Sequence, residues 1–455
     1  PICSVAAPEA PRFVWELPDG GIRERLEPVL EMRALLPLAT VTSRIQALNV
    51  LNSDGKTVAR LFLDEGLSLC RESDESDGSP EPLGDLLRVQ PVKGYDHELA
   101  DVLEVVKKQL RLRPADDLFK SAMDKLGLTP GNYSSKVNVS LRSGTRADDA
   151  TRMVLEDIFA TLRANEDGTR RDIDSEFLHD FRVSVRRTRS ALNQMKRVFP
   201  ADSVAHFRSE FRWLQQLTGP ARDLDVYLLG FSGYQAQLPD SAPDNLESLR
   251  RFLEAKKRQA HAELVEGLDS ERYAQLLSDW ESFLSKPPDP KDENDAPDAV
   301  LPVEEAAGKR IWNMYRRVTE AGAAITDDSP AEHLHELRKD CKELRYLLEF
   351  FQSLFPTERV SPVLKSLKKL QDNLGEFQDC EVQSENLRGF GREMMEQAQA
   401  SADTLMSMGI LVDNIAEAQA KARAEFYERF SNFACEDNRK LFRDQFKRLK
   451  GVAAS

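Results

Sequence analysis

The sequence predicts a mainly α fold: two pseudo-symmetric four-helix-bundle halves, preceded by a small α+β module of antiparallel strands. Three observations lead there. Strand-like runs cluster before about residue 135 and nearly vanish beyond Asn132, where apolar residues recur at helical spacing. Turn and linker signals divide the helical part in two. Above all, one stretch occurs twice. His179-Asp180-Phe181-Arg182-Val183-Ser184-Val185-Arg186-Arg187-Thr188-Arg189 returns as His335-Glu336-Leu337-Arg338-Lys339-Asp340-Cys341-Lys342-Glu343-Leu344-Arg345, a shift of 156 positions.

The same shift carries Pro200 to Pro356, Arg212 to Lys368, Leu214 to Leu370, Gly219 to Gly375 and Asp223 to Asp379. It also carries the apolar stripe Phe181, Val185, Thr188, Leu192, Met195, Phe199 onto Leu337, Cys341, Leu344, Leu348, Phe351, Phe355. One ungapped offset over about 45 residues, keeping both helix faces, reads as an internal duplication with a period far longer than solenoid repeats.

Taken in order, residues 12–135 form the α+β module. Thr40–Gln46, Ala47–Leu51 and Thr57–Leu63 have strand character, with Asn52-Ser53-Asp54-Gly55 as a turn between two of them. Leu86–Val92 reads as a further strand, Ser73–Pro82 as an acidic loop, and Glu98–Leu112 as a helix. The periodicity of Arg23–Leu35 does not decide between helix and extended chain. The first helical half spans 140–286, with helices at Ala147–Asn165, through the basic stretch, and at His206–Leu217, Asn245–Leu268 and Glu271–Leu284. Residues 287–302, rich in Pro and Asp, read as a linker at the seam of the duplication. The second half spans 303–450. Ser329 is expected as N-cap of its basic helix, with Pro330 at the first helical position and Glu332 at N3. Ser361–Leu374, Ala402–Phe433 and Glu436–Lys450 follow as helices. Pro200 and Pro356 are expected to stop the two basic helices, and Gly219 and Gly375 to end the helices after them or to allow close packing.

The chain has 455 residues and a formal charge of −14, which argues against nucleic-acid binding driven by overall charge. A local basic face is more informative on such an acidic body. No run of about 18 apolar residues exists to span a membrane. The N-terminus lacks a signal peptide and an initiator Met, so the chain is expected to begin inside a longer gene product. Five scattered cysteines without a C-x-x-C read as reduced thiols in the cytoplasm.

The basic face carries the chemistry. His179, Arg182, Arg186 and Arg189 form one stripe, and His335, Arg338, Lys342 and Arg345 repeat it. Like charges at i, i+4 repel by a few tenths of a kcal/mol per pair, so something anionic should compensate. Carboxylates such as Asp180 and Asp223 would do so in a salt-bridge network; a bound anion would do so as a ligand. Arginine suits the second task because its fork holds two phosphate oxygens at once. Arg212 and Lys368 extend the stripes, with Lys365 and Lys369 as additions. The two histidines either pack at a helix terminus or donate to phosphate near free helix amides. Asp223 and Asp379 read as groups that orient an arginine or cap a helix.

The doubled His-x-x-Arg-x-x-x-Arg/Lys-x-x-Arg pattern, with Leu214 through Gly219 to Arg222-Asp223-x-Asp225-Val226 and its echo Leu370 through Gly375 to Gln378-Asp379-x-Glu381-Val382, resembles the CHAD family over about residues 140–450. The resemblance implies two pseudo-symmetric helical halves around a basic pore that binds inorganic polyphosphate, and association with polyphosphate granules in bacteria. Arg44–Leu63 and Pro91-Val92-Lys93-Gly94-Tyr95 look like the later part of a CYTH (triphosphate tunnel) domain. Enzymes of that family use Glu-x-Glu-x-Lys on the first strand, and the chain contains none; the motif lies upstream of Pro1 or has been lost.

The expected function is therefore non-enzymatic binding of polyphosphate by His179, Arg182, Arg186, Arg189, Arg212, His335, Arg338, Lys342, Arg345, Lys365, Lys368 and Lys369. No catalytic residue, metal, cofactor or membrane partner is expected, and the sequence leaves the oligomeric state open. Two rivals stand beside it: a metal-dependent triphosphatase or polyphosphate hydrolase acting through the CYTH-like part, and a nucleic-acid module using the same basic face. Lys342 stands where the first copy has Arg186, and Glu343 where it has Arg187, so the 179–189 side is expected to contribute more to binding.

Overall fold

The computed structural model describes residues 11–71, 80–115, 117–129, 131–239, 243–286 and 295–447. It divides into two compact units, Pro1–Ser134 and Ser135–Ser455. In the first, α1 (Gly21–Leu30) precedes three strands, β1 (Ala39–Leu51), β2 (Thr57–Arg71) and β3 (Glu81–Pro91), which pair antiparallel in the order β1-β2-β3. The Asn52 side chain builds the hairpin by accepting the Asp54 and Lys56 N–H groups at 3.1 and 2.9 Å, and Gly55 supplies the φ of +76° that the turn needs. The predicted strands Thr40–Gln46 and Ala47–Leu51 are one strand. A bulge lies between Thr42 and Arg44, within the first of the two segments. Glu81 and Pro82, read as loop, pair with Leu69 and Ser68; residues 73–79 of that predicted loop lie outside the described residues. Helix α2 (Asp96–Lys108) follows, and then α3 (Leu118–Leu126), which the periodicity did not single out. The Asp117 carboxylate caps α3, whose Ala122, Met123 and Leu126 close a small core on Leu69.

The second unit is helical. Its first half holds α4 (Ala147–Arg170), α5 (Ser175–Gln194), α6 (Ala201–Leu217), α7 (Gly219–Leu229), the short α8 (Phe231–Gln235), α9 (Glu247–Leu268) and α10 (Glu271–Ser285). The second holds α11 (Val303–Ala323), α12 (Ala331–Phe351), α13 (Thr357–Glu396), α14 (Ala402–Phe433) and α15 (Glu436–Phe442). Helices α4, α5 and α6 begin 156 positions before α11, α12 and α13. Helix α11 was not singled out in the sequence, and supplies the partner that α4 requires. Pro200 and Pro356 do not stop the basic helices, which end at Gln194 and Phe351; each is the N-cap of the helix that follows. The apolar stripes are core, from Phe181 to Phe199 and from Leu337 to Phe351, all within 1% of full burial, with Phe355 partly buried against them.

The halves meet about a pseudo-two-fold axis. Arg146 and Pro302, one repeat apart, face each other across an antiparallel bridge. Ala147 N–H donates to the Leu301 carbonyl at 2.9 Å and Val303 N–H to the Thr145 carbonyl at 2.8 Å, the same bond made twice under exchange of halves. Residues 287–294 of the predicted linker lie outside the described residues, but its last part is packed rather than solvated. Ala296 and Ala299 are buried, and so is Asp298, whose carboxylate meets Arg197 at 2.9 Å.

Candidate anion-binding site

Helices α5 and α12 aim the two basic stripes. The Asp174 carboxylate starts α5 by accepting the Glu176 and Phe177 N–H groups at 2.8 and 3.2 Å. Ser329 does not cap α12: its hydroxyl accepts the Thr326 N–H at 2.9 Å, and the helix begins after Pro330. His179 and His335 are therefore each the fifth helical residue, one turn beyond the free amides of a helix start. Their expected place beside those amides is not realised.

The apolar stripes turn into the two bundles, and the opposite faces close on one open pocket of about 430 Å³. His179, Arg182 and Arg186 enter it from α5, and Arg338 and Lys342 from α12. Arg222, Asp223, Val226 and Tyr227 line it from α7, and Gln378, Asp379, Val382, Gln383 and Asn386 from α13. Most of these are pairs one repeat apart, so the duplication of the sequence becomes a two-sided cavity. Five cations and two carboxylates line it, on a chain whose net charge is −14. Arg222, which the sequence placed in the second motif but not among the binding residues, belongs here. The uncharged Tyr227, Gln378, Gln383 and Asn386 were missed; the repeat offset from Arg222 and Tyr227 was the signal for Gln378 and Gln383.

The other predicted residues do not line the pocket. Arg189 lies beyond it, hydrogen-bonded to the Gln215 amide, and Arg345 donates to the equivalent Gln371 at 3.3 Å and to Glu349 at 2.6 Å. Arg212, Lys365, Lys368 and Lys369 are exposed on α6 and α13 and have no ion pair among the described residues. His335 Nε2 sits 2.6 Å from the Glu381 carboxylate.

The two arginines nearest the helix backbones show how the halves differ. Pro220 cannot donate a backbone bond, and at Thr218 the chain breaks into α6 and α7. Arg182 donates there, to the Gln215 carbonyl at 3.2 Å and the Thr218 hydroxyl at 3.0 Å. Helix α13 has Glu376 where α7 has Pro220 and runs unbroken for 40 residues, so Gly375 ends nothing. Arg338 instead donates to Gln378 at 2.7 Å and to the Asp379 carboxylate at 3.1 Å. Both glycines give the guanidinium room. A Cβ at Gly219 would stand 3.5 Å from Arg182 Nη1, and one at Gly375 would stand 3.6 Å from Arg338 Nη2.

The charge in the pocket is only partly neutralised. Among the described residues Arg186 makes no ion pair, and its buried Nε has no hydrogen-bond partner. Burial, with Arg338 and Arg186 alongside, pushes the Lys342 ammonium down to about 8. Burial also lowers the Arg182 pKa, opposed by Asp223. Glu343, expected to make the second stripe less basic, does not line the pocket. It lies in the seam between α5 and α12, where Ser190 donates to it at 2.6 Å and Gln194 at 2.9 Å. Its repeat partner Arg187 lies in the same seam, over the Tyr346 ring and 3.3 Å from Glu349.

The CHAD domain family model matches residues 153–388, just over half of the chain. The chain belongs to the CHAD domain family. The crystal structure of the CHAD domain from the plant Ricinus communis is similar in fold, with a TM-score of 0.50 at 22% identity, covering 70% of this chain and 98% of that one. PptA from Streptomyces chartreusis also has a TM-score of 0.50, at 15% identity, covering 63% and 100%. An uncharacterized protein of Mycobacterium tuberculosis, found in strains CDC 1551 and H37Rv, is 29% identical over 216 residues. That match takes in 46% of this chain and 39% of the relative's length. The family match spans both basic helices, α7 and most of α13, so every residue that lines the pocket belongs to the CHAD domain. No helix of the described residues is long and apolar enough to cross a membrane.

Proposed function

We propose that the protein binds inorganic polyphosphate in a basic pore between the two CHAD halves, without catalysing a reaction on it. One observation carries the reading: five cations from both halves line one pocket of an acidic chain, and two of them, Arg186 and Lys342, make no ion pair among the described residues. A linear chain of phosphoryl groups supplies that missing charge at regular spacing and offers no base edges to read, so recognition is electrostatic and positional. Arg189, Arg212, Arg345, Lys365, Lys368 and Lys369 continue the track outside the pocket for longer chains. The amides of Gln378, Gln383 and Asn386 add neutral donors.

The same proposal makes the N-terminal unit a CYTH-like remnant, supported by its antiparallel three-stranded sheet and the absence of Glu-x-Glu-x-Lys. It also places the protein in the cytoplasm at polyphosphate granules. Calorimetric titration with long-chain polyphosphate over a salt series tests the binding. Tight association that weakens steeply with salt is expected. Orthophosphate release with magnesium or manganese would turn the assignment to the hydrolase, and equal competition by single-stranded RNA at matched charge would turn it to a nucleic-acid module.

A further inference from the structure

We propose that Lys342 takes up a proton when the pocket binds a phosphate chain, so that binding weakens as the solution turns alkaline. The inference rests on the polyphosphate reading and adds a regulation to that site. Its basis is geometric. Lys342 is half-buried in the pocket lining, and the charges that line the pocket with it are mostly of its own sign. On its own helix, Arg338 stands one turn earlier. From α5 come Arg186 and Arg182 with the titratable His179, and from α7 Arg222 with Asp223 and the Tyr227 hydroxyl. Helix α13 offers Asp379, but that carboxylate is engaged by Arg338 at 3.1 Å. Charges elsewhere on or beside α12 are committed: Glu343 to Ser190 and Gln194, and Arg317 of α11 to Asp340 at 2.7 Å. The 3-10 turn Gln352–Leu354 carries no charge.

An ammonium so placed gives up its proton easily while the pocket is empty, at about 8 rather than the ordinary lysine value. A phosphate oxygen against it reverses the balance, because the anion favours the charged form and pulls the pKa back up. The sign follows from linkage: the bound state holds more protons than the free state between the two pKa values, so affinity falls as pH rises through 8. Interior phosphoryl groups of a long chain are fully ionised across that range and contribute no proton of their own.

Two measurements test this. Titration of the full chain with long-chain polyphosphate, in buffers of different ionisation enthalpy, should show uptake of about half a proton per site at pH 8 and about tenfold weaker binding at pH 9 than at pH 7. Lys342→Arg, whose charge does not titrate here, should bind with a flat pH profile and exceed the wild type at pH 9. No proton uptake by the wild type, or the same fall in Lys342→Arg, overturns the proposal. Second, 13C NMR of lysine Cε in the ligand-free protein should show one midpoint near 8 that disappears in Lys342→Arg; a midpoint at the ordinary lysine value overturns it without any ligand present. No binding at any pH, with the low midpoint intact, overturns the polyphosphate reading and the proposal with it.

Discussion

Removing two pocket charges that have no ion pair among the described residues separates a binding site from a structural charge network. In Arg186→Ala/Lys342→Ala, neither deleted group leaves a paired carboxylate behind among those residues. The two cations also repel each other. Folding stability should therefore be unchanged or slightly raised. Polyphosphate loses two charge-assisted hydrogen bonds, each worth about 1.5–3 kcal/mol. Together they amount to about 3–6 kcal/mol, or roughly 10²- to 10⁴-fold in Kd. The salt dependence should fall with it, by about 1.4 in the slope of log K against log salt, since each phosphate contact on a single-stranded polyanion contributes about 0.7. Calorimetric titration at several salt concentrations and a thermal melt of the same sample measure all three. A double variant that melts like the wild type and binds within twofold of it, with an unchanged slope, would refute the pocket as the site.

Four further outcomes follow from the contacts. Arg338 is already engaged by Asp379, whereas Arg182 touches only uncharged oxygens; Arg182→Ala should weaken polyphosphate binding more than Arg338→Ala, and Asp379→Asn should tighten it, all by titration. Burial raises the Glu343 pKa, so this group favours the folded state at acid pH and that contribution is lost as pH rises toward the folded value. Glu343→Gln, which keeps an acceptor for Ser190 and Gln194, should flatten that loss in melts taken from pH 4 to 7. Gly322→Ala would place a Cβ 2.0 Å from the Phe430 ring and should cost about 1–3 kcal/mol in urea unfolding. Cys341 is fully buried, and burial raises its thiol pKa; it should resist a thiol reagent until the protein unfolds.

The repeat made much of this legible. Because the offset is ungapped, the sequence implied both basic helices, both apolar faces and their equivalence, and α5 and α12 have that form. Helical ends were read less well, since Pro200 and Pro356 look the same in sequence whether they close one helix or open the next. The site was legible where the stripe faces its partner, at His179, Arg182, Arg186, Arg338 and Lys342. It was not legible at Arg189, Arg345 and His335, because periodicity tells which face a side chain occupies but not where along that face the partner helix crosses. Tyr227 and Asn386 carry no charge and had no pattern to mark them.

The seam between the halves accounts for the departures from symmetry better than the ligand does. Arg187 and Glu343, one repeat apart, occupy equivalent places where α5 and α12 pack: Arg187 lies over Tyr346, Glu343 accepts from Ser190, and Tyr346 is the repeat partner of Ser190. The chain has Arg187 on one side and Glu343 on the other, and each finds a partner in the opposite half: Glu349 for the first, Ser190 and Gln194 for the second. The change of sign that reads as a weakened basic stripe therefore belongs to the seam between α5 and α12, and neither residue lines the pocket. Outside the pocket lining the halves differ again at the repeat pair Asp225 and Glu381: Asp225 is buried against Lys257 at 2.8 Å, while Glu381 turns to His335 at 2.6 Å. The first half thus sets this carboxylate against its own bundle, and the second sets it against a stripe histidine.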